Sequence, residues 1–440
     1  MEKEFDVNKQ IGLPEQLLIK QIADRYLVVA LNCPNWLVLE ANEYHFFTLL
    51  REQTLLNSLT QYAEKYSLGE AETLETAQNV LKKLEIYRFY AGIPLAPQED
   101  ITAISKLIHI NVLNDCNLRC KHCFLSAGIS PRQQLDINML LDFLKKLFKR
   151  VNNATNDTKE AVISGGEPLL YPDLRKLLQF LKDNDYAVTL FTNGLLIDDR
   201  NIVWLKQLVS SIQVSMEGIS RSAYESIRGI NTYEALLNTL NLIKQHEIPL
   251  VLAITALDEV FDDMETHLPS FVRELDYEHI EVKLNDEVDR KGNAIHLNPA
   301  NFQLSYDKKN RIRNLLRALA EQGFYAENNT KNRNIHFNNC GIGANIVINY
   351  DGNIYPCFFF EKPFFTIHDS PETIIESFNK LNTSTELDKI EKCADCELKY
   401  ICCGGCRLQN CVKNGSYTSA YCTEATKEQK LLALFAEALE

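Results

Sequence analysis

Between residue 105 and about residue 310, short apolar runs alternate with segments of helical periodicity, and this limits the fold more than any other feature. The strand candidates are Ile108–Leu113, Ala161–Ser164, Ala187–Phe191, Ser211–Ser215, Leu250–Ala256 and His279–Leu284. Helical patterns lie between them, as at Asn138–Val151, Asp173–Asp183 and Tyr233–Glu247. Such alternation implies an α/β fold with a parallel sheet covered by helices. About six units fit a partial (β/α)6 barrel of the TIM type, whose chemistry gathers at the C-terminal ends of the strands.

Cys116-x3-Cys120-x2-Cys123 follows the first of these strands directly. Three thiolates on one loop can hold three irons of a [4Fe–4S] cluster, which normally takes four cysteines. The fourth iron is then open, and an open metal position is where a substrate or cofactor binds. A structural zinc site is the alternative, but zinc usually takes two cysteine pairs, and no fourth ligand stands nearby.

Further motifs end the next strands. Ser164-Gly165-Gly166-Glu167-Pro168 closes the second, where two glycines permit close backbone approach to a ligand. Thr192-Asn193-Gly194 closes the third, Ser215-Met216-Glu217-Gly218 the fourth, and Ile227-Arg228-Gly229 follows. The cysteine triplet together with this series resembles the radical S-adenosylmethionine (AdoMet) superfamily. The resemblance implies that Cys116, Cys120 and Cys123 carry the AdoMet-binding cluster and that His122 fills the usual aromatic position before the third cysteine. It implies that Ser164, Gly165, Gly166 and Glu167 hold the AdoMet amino group, with Thr192 and Asn193 also at the cofactor. Ser215 would lie near the ribose or carboxylate, and Arg228 would pair the carboxylate, as a guanidinium does bidentately. Met216 and Glu217 depart from the more usual Leu-Asp. A strand-end cap for Ser215 and a surface ion pair for Arg228 are the plainer readings.

Nine of the 13 cysteines fall after residue 339. Cys340, Gly352 and Cys357 form one group, and Cys393-x2-Cys396-x5-Cys402-x3-Cys406 with Cys422 forms another. This series resembles the SPASM extension of peptide-modifying radical AdoMet enzymes. By that resemblance Cys340, Cys357 and Cys406 ligate one auxiliary [4Fe–4S] cluster, and Cys393, Cys396, Cys402 and Cys422 a second, three clusters in all. The fourth ligand of the first stays open among Cys403, Cys411 and a substrate thiolate. Two structural zincs are the alternative for the whole extension. Cys33 reads as a small buried apolar residue. In the sulfatase-maturing branch an aspartate follows the cysteine that Cys357 matches and acts as a base. Phe358 stands there, within a Phe358-Phe359-Phe360 run that reads as core.

Residues 1–90 form a separate α+β region, with strand patterns at Tyr26–Leu31 and Trp36–Leu39 and helical patterns at Glu43–Arg51, Ser58–Tyr66 and Leu74–Leu84. It resembles the winged-helix-like domain that recognises precursor peptides. DNA binding and a plain structural cap are the other readings. The expected division is 1–90 for this domain, 91–104 a linker, 105–310 the barrel, 311–339 a bridge, 340–425 the extension and 426–440 a C-terminal helix.

A formal net charge of −13 argues against non-specific binding to nucleic acid or anionic membrane. No signal peptide and no membrane span are evident, so a cytoplasmic protein with reduced thiols is expected. The resemblance as a whole implies an oxidoreductase that cleaves AdoMet with an electron from a reductase such as flavodoxin or ferredoxin. A 5′-deoxyadenosyl radical would then abstract hydrogen from a ribosomally made precursor peptide bound through its leader, leading to an intramolecular thioether, C–C or C–O crosslink. The alternatives are maturation of a folded protein, of the sulfatase or quinohaemoprotein type, and a non-catalytic zinc-stabilised peptide-binding protein.

Overall fold

The structure is a computed structural model of the chain. It describes residues 6–31, 35–92, 107–128, 131–151, 159–286, 288, 290–302, 305–325 and 338–437. Cys33, most of the expected linker and residues 326–337 of the expected bridge lie outside these.

The chain forms two compact units, and their boundaries differ from the division expected from sequence. One unit combines residues 1–100 with 328–340 and 382–440; the other combines 101–327 with 341–381. The cysteine-rich stretch 340–425 is therefore not one body, and each unit takes part of it.

In the first unit, β1 (Leu17–Ile22), β2 (Arg25–Ala30) and β3 (Asn35–Glu40) form an antiparallel meander. Three helices follow, α1 (Ala41–Glu52), α2 (Leu55–Tyr66) and α3 (Glu70–Ile86). Side chains of a strand alternate between faces, and here both faces are apolar. Val28, Ala30, Leu37 and Leu39 meet Phe46, Phe47, Leu50, Tyr62 and Val80 of the three helices. Leu27, Val29, Trp36 and Val38 turn the other way and meet Leu398, Leu431, Leu434 and Phe435. The last three belong to the C-terminal helix Glu424–Glu437. The ends of the helices are fixed locally: Thr54 caps α2, while Glu43 closes a capping box with Glu40 and takes Lys83 at 2.5 Å.

The second unit holds six parallel strands in sequence order, β4 (Leu107–Asn111), β5 (Lys159–Ser164), β6 (Tyr186–Thr192), β7 (Ser211–Ser215), β8 (Leu250–Thr255) and β9 (Ile280–Asn285). These are the six strands that the alternation predicts. A feature the sequence did not suggest completes the sheet. β10 (Ile346–Ile348) lies parallel to β4, with Ile348 opposite Ile110, and β11 (Asn353–Tyr355) and β12 (Phe365–Thr366) follow antiparallel. The edge of β4 is thereby paired rather than open.

One face of the sheet packs under helices, where Ile108 and Ile110 join Leu140, Leu144 and Phe148 in a single large core. The opposite face is concave. His109 on β4 meets Phe191 on β6 with ring centroids 6.0 Å apart, although β5 lies between the two strands. Only residues pointing into the barrel can touch in this way.

Candidate active site

The cysteine loop leaves the C-terminal end of β4 and is pinned by its neighbours. Lys121 donates its amide to Ile227, at the end of the helix Arg221–Arg228. Asn293 donates its amide to the Cys123 carbonyl at 2.8 Å and its side chain to the Cys120 carbonyl at 3.1 Å. Gly166 and Glu167 donate to the carbonyls of Leu113 and Asp115, both at 2.8 Å. A Cβ on Gly166 would run into the Asp115 carbonyl, and one on Gly165 into that of Leu113. The two glycines thus make room for the cysteine loop.

Two clusters of polar side chains flank the thiols. On one side Glu167 is fully buried and accepts from the Thr192 hydroxyl at 2.8 Å, the Asn193 amide at 2.9 Å and the Leu169 amide at 3.1 Å. Burial pushes its carboxyl above the usual range, with these hydrogen bonds acting in the opposite direction. The Asn193 side chain reaches Asn117 at 2.7 Å and the Cys116 sulfur at 3.7 Å. The second and third motifs therefore meet at the first cysteine.

On the other side Glu217, at 2% exposure, binds Arg228, at 6%. One carboxylate oxygen takes both Nε and Nη2 of Arg228, each at 2.5 Å, and the other faces His122 Nε2 at 3.5 Å. Burial opposes the charge on Arg228, and Glu217, Cys120 and Tyr224 together more than reverse that effect. Arg228 is neither on the surface nor free: its guanidinium is engaged by Glu217, so the expected pairing with a cofactor carboxylate would have to use its remaining edge. Asn117 and Asn293 were not singled out from sequence, because nothing local marks them, and Glu217 was noted only as a departure from the motif. Ser164 and Ser215 sit half-buried at the ends of β5 and β7.

The Cys116 thiol is pushed up to about 11 by burial, with its two partner thiols adding to the rise. Cys120 is likewise raised by burial, with Arg228 opposing. The three sulfurs are thus within electrostatic reach of one another in a site that disfavours bare thiolates, and bound iron would supply the compensating charge. Among the described residues no three His, Cys, Asp or Glu side chains converge on a single-ion position. A closed zinc site demands that convergence, whereas a cubane spreads its ligands over separate irons. The donor set, three thiols on one loop, fits a [4Fe–4S] cluster with one open iron.

Within the first unit Cys393, Cys396, Cys402 and Cys422 lie within electrostatic range of one another, and burial followed by these neighbours pushes Cys393 up to about 11. Arg407 stands beside Cys393 and beside Cys340, Cys403 and Cys406. It is fully buried, donates to the carbonyls of Thr385, Cys403 and Gly405, and leaves Nη2 without a partner among the described residues. The phenylalanine run after Cys357 is not core: Phe358 is 44% exposed and Phe359 49%. The Phe358 ring stands edge-on to His109, with centroids 4.4 Å apart, at the concave face of the sheet.

Residues 110–268 match the model of the Radical SAM superfamily. That stretch is a radical SAM domain, the protein is an enzyme, and a domain of this kind implies AdoMet and a [4Fe–4S] cluster. The subtilosin biosynthesis protein AlbA of Bacillus subtilis, an antilisterial bacteriocin pathway protein, is 24% identical over 331 residues, 71% of this chain and 70% of that protein. An AdoMet-dependent heme synthase of Oleidesulfovibrio alaskensis is 25% identical over 351 residues, 72% of this chain and 87% of that one. Streptococcus suis SuiB, in a crystal structure bound to precursor peptide SuiA, superposes with a TM-score of 0.56 over 94% of this chain and 99% of its own, at 15% identity. That last likeness establishes a shared fold.

Proposed function

We propose that the protein matures a ribosomally made precursor peptide, holding its leader on the N-terminal strand–helix region and joining two of its residues by a thioether, C–C or C–O crosslink. The observation that carries this reading is the meander itself. β1 and β3 each have an edge without a strand partner among the described residues, and an extended peptide adds to such an edge through main-chain hydrogen bonds. Tethering a leader there raises the effective concentration of the attached core peptide at the barrel. Similarity to a bacteriocin biosynthesis protein and to a fold that binds a precursor peptide supports the same reading.

Cys116, Cys120 and Cys123 would hold the cluster, with Glu167, Thr192, Asn193, Ser215 and the free edge of Arg228 around the cofactor. When bound and reduced by one electron, from a flavodoxin- or ferredoxin-like donor, this pair supplies a 5′-deoxyadenosyl radical. Cys393, Cys396, Cys402 and Cys422 would ligate an auxiliary cluster in the SPASM manner. Phe358 brings no proton acceptor to the concave face where the sulfatase-type branch has an aspartate, which weighs against that reaction. No helix among the described residues is long and apolar enough to cross a membrane, and a cytoplasmic setting with reduced thiols suits these cysteines.

The test is anaerobic reconstitution with AdoMet and dithionite, beside a variant with Cys116, Cys120 and Cys123 changed to alanine. The wild type should form 5′-deoxyadenosine and the variant none. Co-expression with short peptides encoded beside the gene should then give a product lighter by two hydrogens. AdoMet cleavage with every such peptide unmodified would overturn the precursor-peptide reading.

A further inference from the structure

Glu217 is a buried carboxylate that ties the cysteine loop to the rest of the barrel through charge. It leaves the C-terminal end of β7 and is 2% exposed. Arg228 meets it from the end of the helix Arg221–Arg228, and His122 meets it from between the second and third cysteines of the loop. The charge of Arg228 reaches the Cys120 sulfur, and the Lys121 amide is tied to Ile227 beside it. The immediate surroundings of Cys120 therefore hold one full positive charge, balanced by one full negative charge. The charged groups in this network come from β7, the helix after it and the cysteine loop, and the Thr255 hydroxyl of β8 adds a neutral hydrogen bond to Glu217.

We propose that Glu217 is a positioning residue for the cluster on Cys116, Cys120 and Cys123: it clamps Arg228 and His122 against the loop and cancels the arginine charge next to Cys120, keeping that cluster at low potential. The proposal rests on the reading of the three cysteines as cluster ligands. A buried ion pair that loses one partner leaves an uncompensated charge behind. An uncompensated cation beside an iron–sulfur cluster favours its more negative, reduced form, because net local charge sets the reduction potential. Cleavage of AdoMet needs a strong reductant, so the balance matters to the reaction and not only to the fold.

The experiment follows the AdoMet-responsive electron paramagnetic resonance signal of the reduced full-length protein during a redox titration. Glu217→Gln keeps the shape and removes the charge; its midpoint should move to a more positive potential. Glu217→Asp keeps the charge and should stay nearer the wild type. Glu217→Gln combined with Arg228→Met removes both charges and should move back toward the wild-type midpoint. Equal midpoints for wild type and Glu217→Gln would overturn the proposal, as would a double variant that keeps the full shift. If Glu217→Gln takes up no cluster, the double variant decides: recovered loading supports charge balance, and continued failure overturns it. Absence of any AdoMet-responsive signal from the wild type would instead overturn the assignment of the three cysteines.

Discussion

His109 shows how a single residue can carry both structure and pH dependence. It points into the barrel from β4, is buried, and bonds Asn111 Oδ1 at 3.1 Å, while Asn111 donates to Asn349 on the strand connection after β10. With the amide of Asn111 turned to Asn349, its carbonyl oxygen faces the imidazole, which fixes Nε2 as the protonated nitrogen. Burial lowers the pKa from 6.5 to about 4, the Asn111 contact opposing. The folded-state value is depressed, so the native protein refuses a proton that the unfolded chain accepts. The stability from a neutral His109 is present above pH 6.5 and lost as pH falls through 4. The loss amounts to about 3 kcal/mol. Urea unfolding of wild type and His109→Gln at several pH values between 7 and 4 checks this: the variant should lose less stability over that range. Parallel losses in the two proteins would show that His109 is not held neutral by burial.

At the scale of elements, the C-terminal helix Glu424–Glu437 is the second cover of the N-terminal sheet. Leu434 is 1% exposed and packs with Leu27, Val29, Trp36 and Val38. Leu434→Ala should cost about 2–5 kcal/mol, as buried leucine truncations do, and denaturant unfolding would read it. A variant as stable as the parent would mean that helix and sheet do not share a core. Such a pairing of the chain's two ends could not be read from sequence, because nothing local in Leu431-Leu434-Phe435 names its partner. The strands that were legible, β4 to β9, are five to seven residues long, apolar at least at alternate positions, and lie between helices with a clear period. β1 was missed because its Leu-Leu-Ile-Lys-Gln-Ile is half-exposed edge strand with little β-branching. β10 and β11 were missed because three residues are too few to show a period. The site divides in the same way. Cys116, Cys120, Cys123, Gly165, Gly166 and Glu167 announce themselves by spacing, whereas the link from Glu217 to His122 and Arg228 exists only once strand, helix and loop are folded together.

For the molecule as a whole, the distribution of cysteines over the two units decides what removal of the N-terminal region should do. Among the described residues the barrel core draws on positions between Ile108 and Phe378. In the cysteine-rich end, Cys396 and Cys402 pack with Leu398 and Ile401 against the sheet face formed by Leu27, Val29, Trp36 and Val38. Without residues 1–90, that apolar patch and the C-terminal helix would face water, and the quartet Cys393, Cys396, Cys402 and Cys422 would lose the wall that fixes two of its members. A chain starting after residue 90 should therefore keep the AdoMet-responsive cluster and still form 5′-deoxyadenosine. It should lose the iron and sulfide of the quartet along with modification of any precursor peptide. Iron and sulfide analysis beside the 5′-deoxyadenosine assay separates the two effects. Full iron content in the shortened chain would show that the quartet folds without the sheet, and the loss of modification could then be assigned to leader binding alone. Reduced iron would mean that peptide recognition and auxiliary-site integrity share one hydrophobic core, and that only point changes on the exposed edges of β1 or β3 can isolate the first from the second.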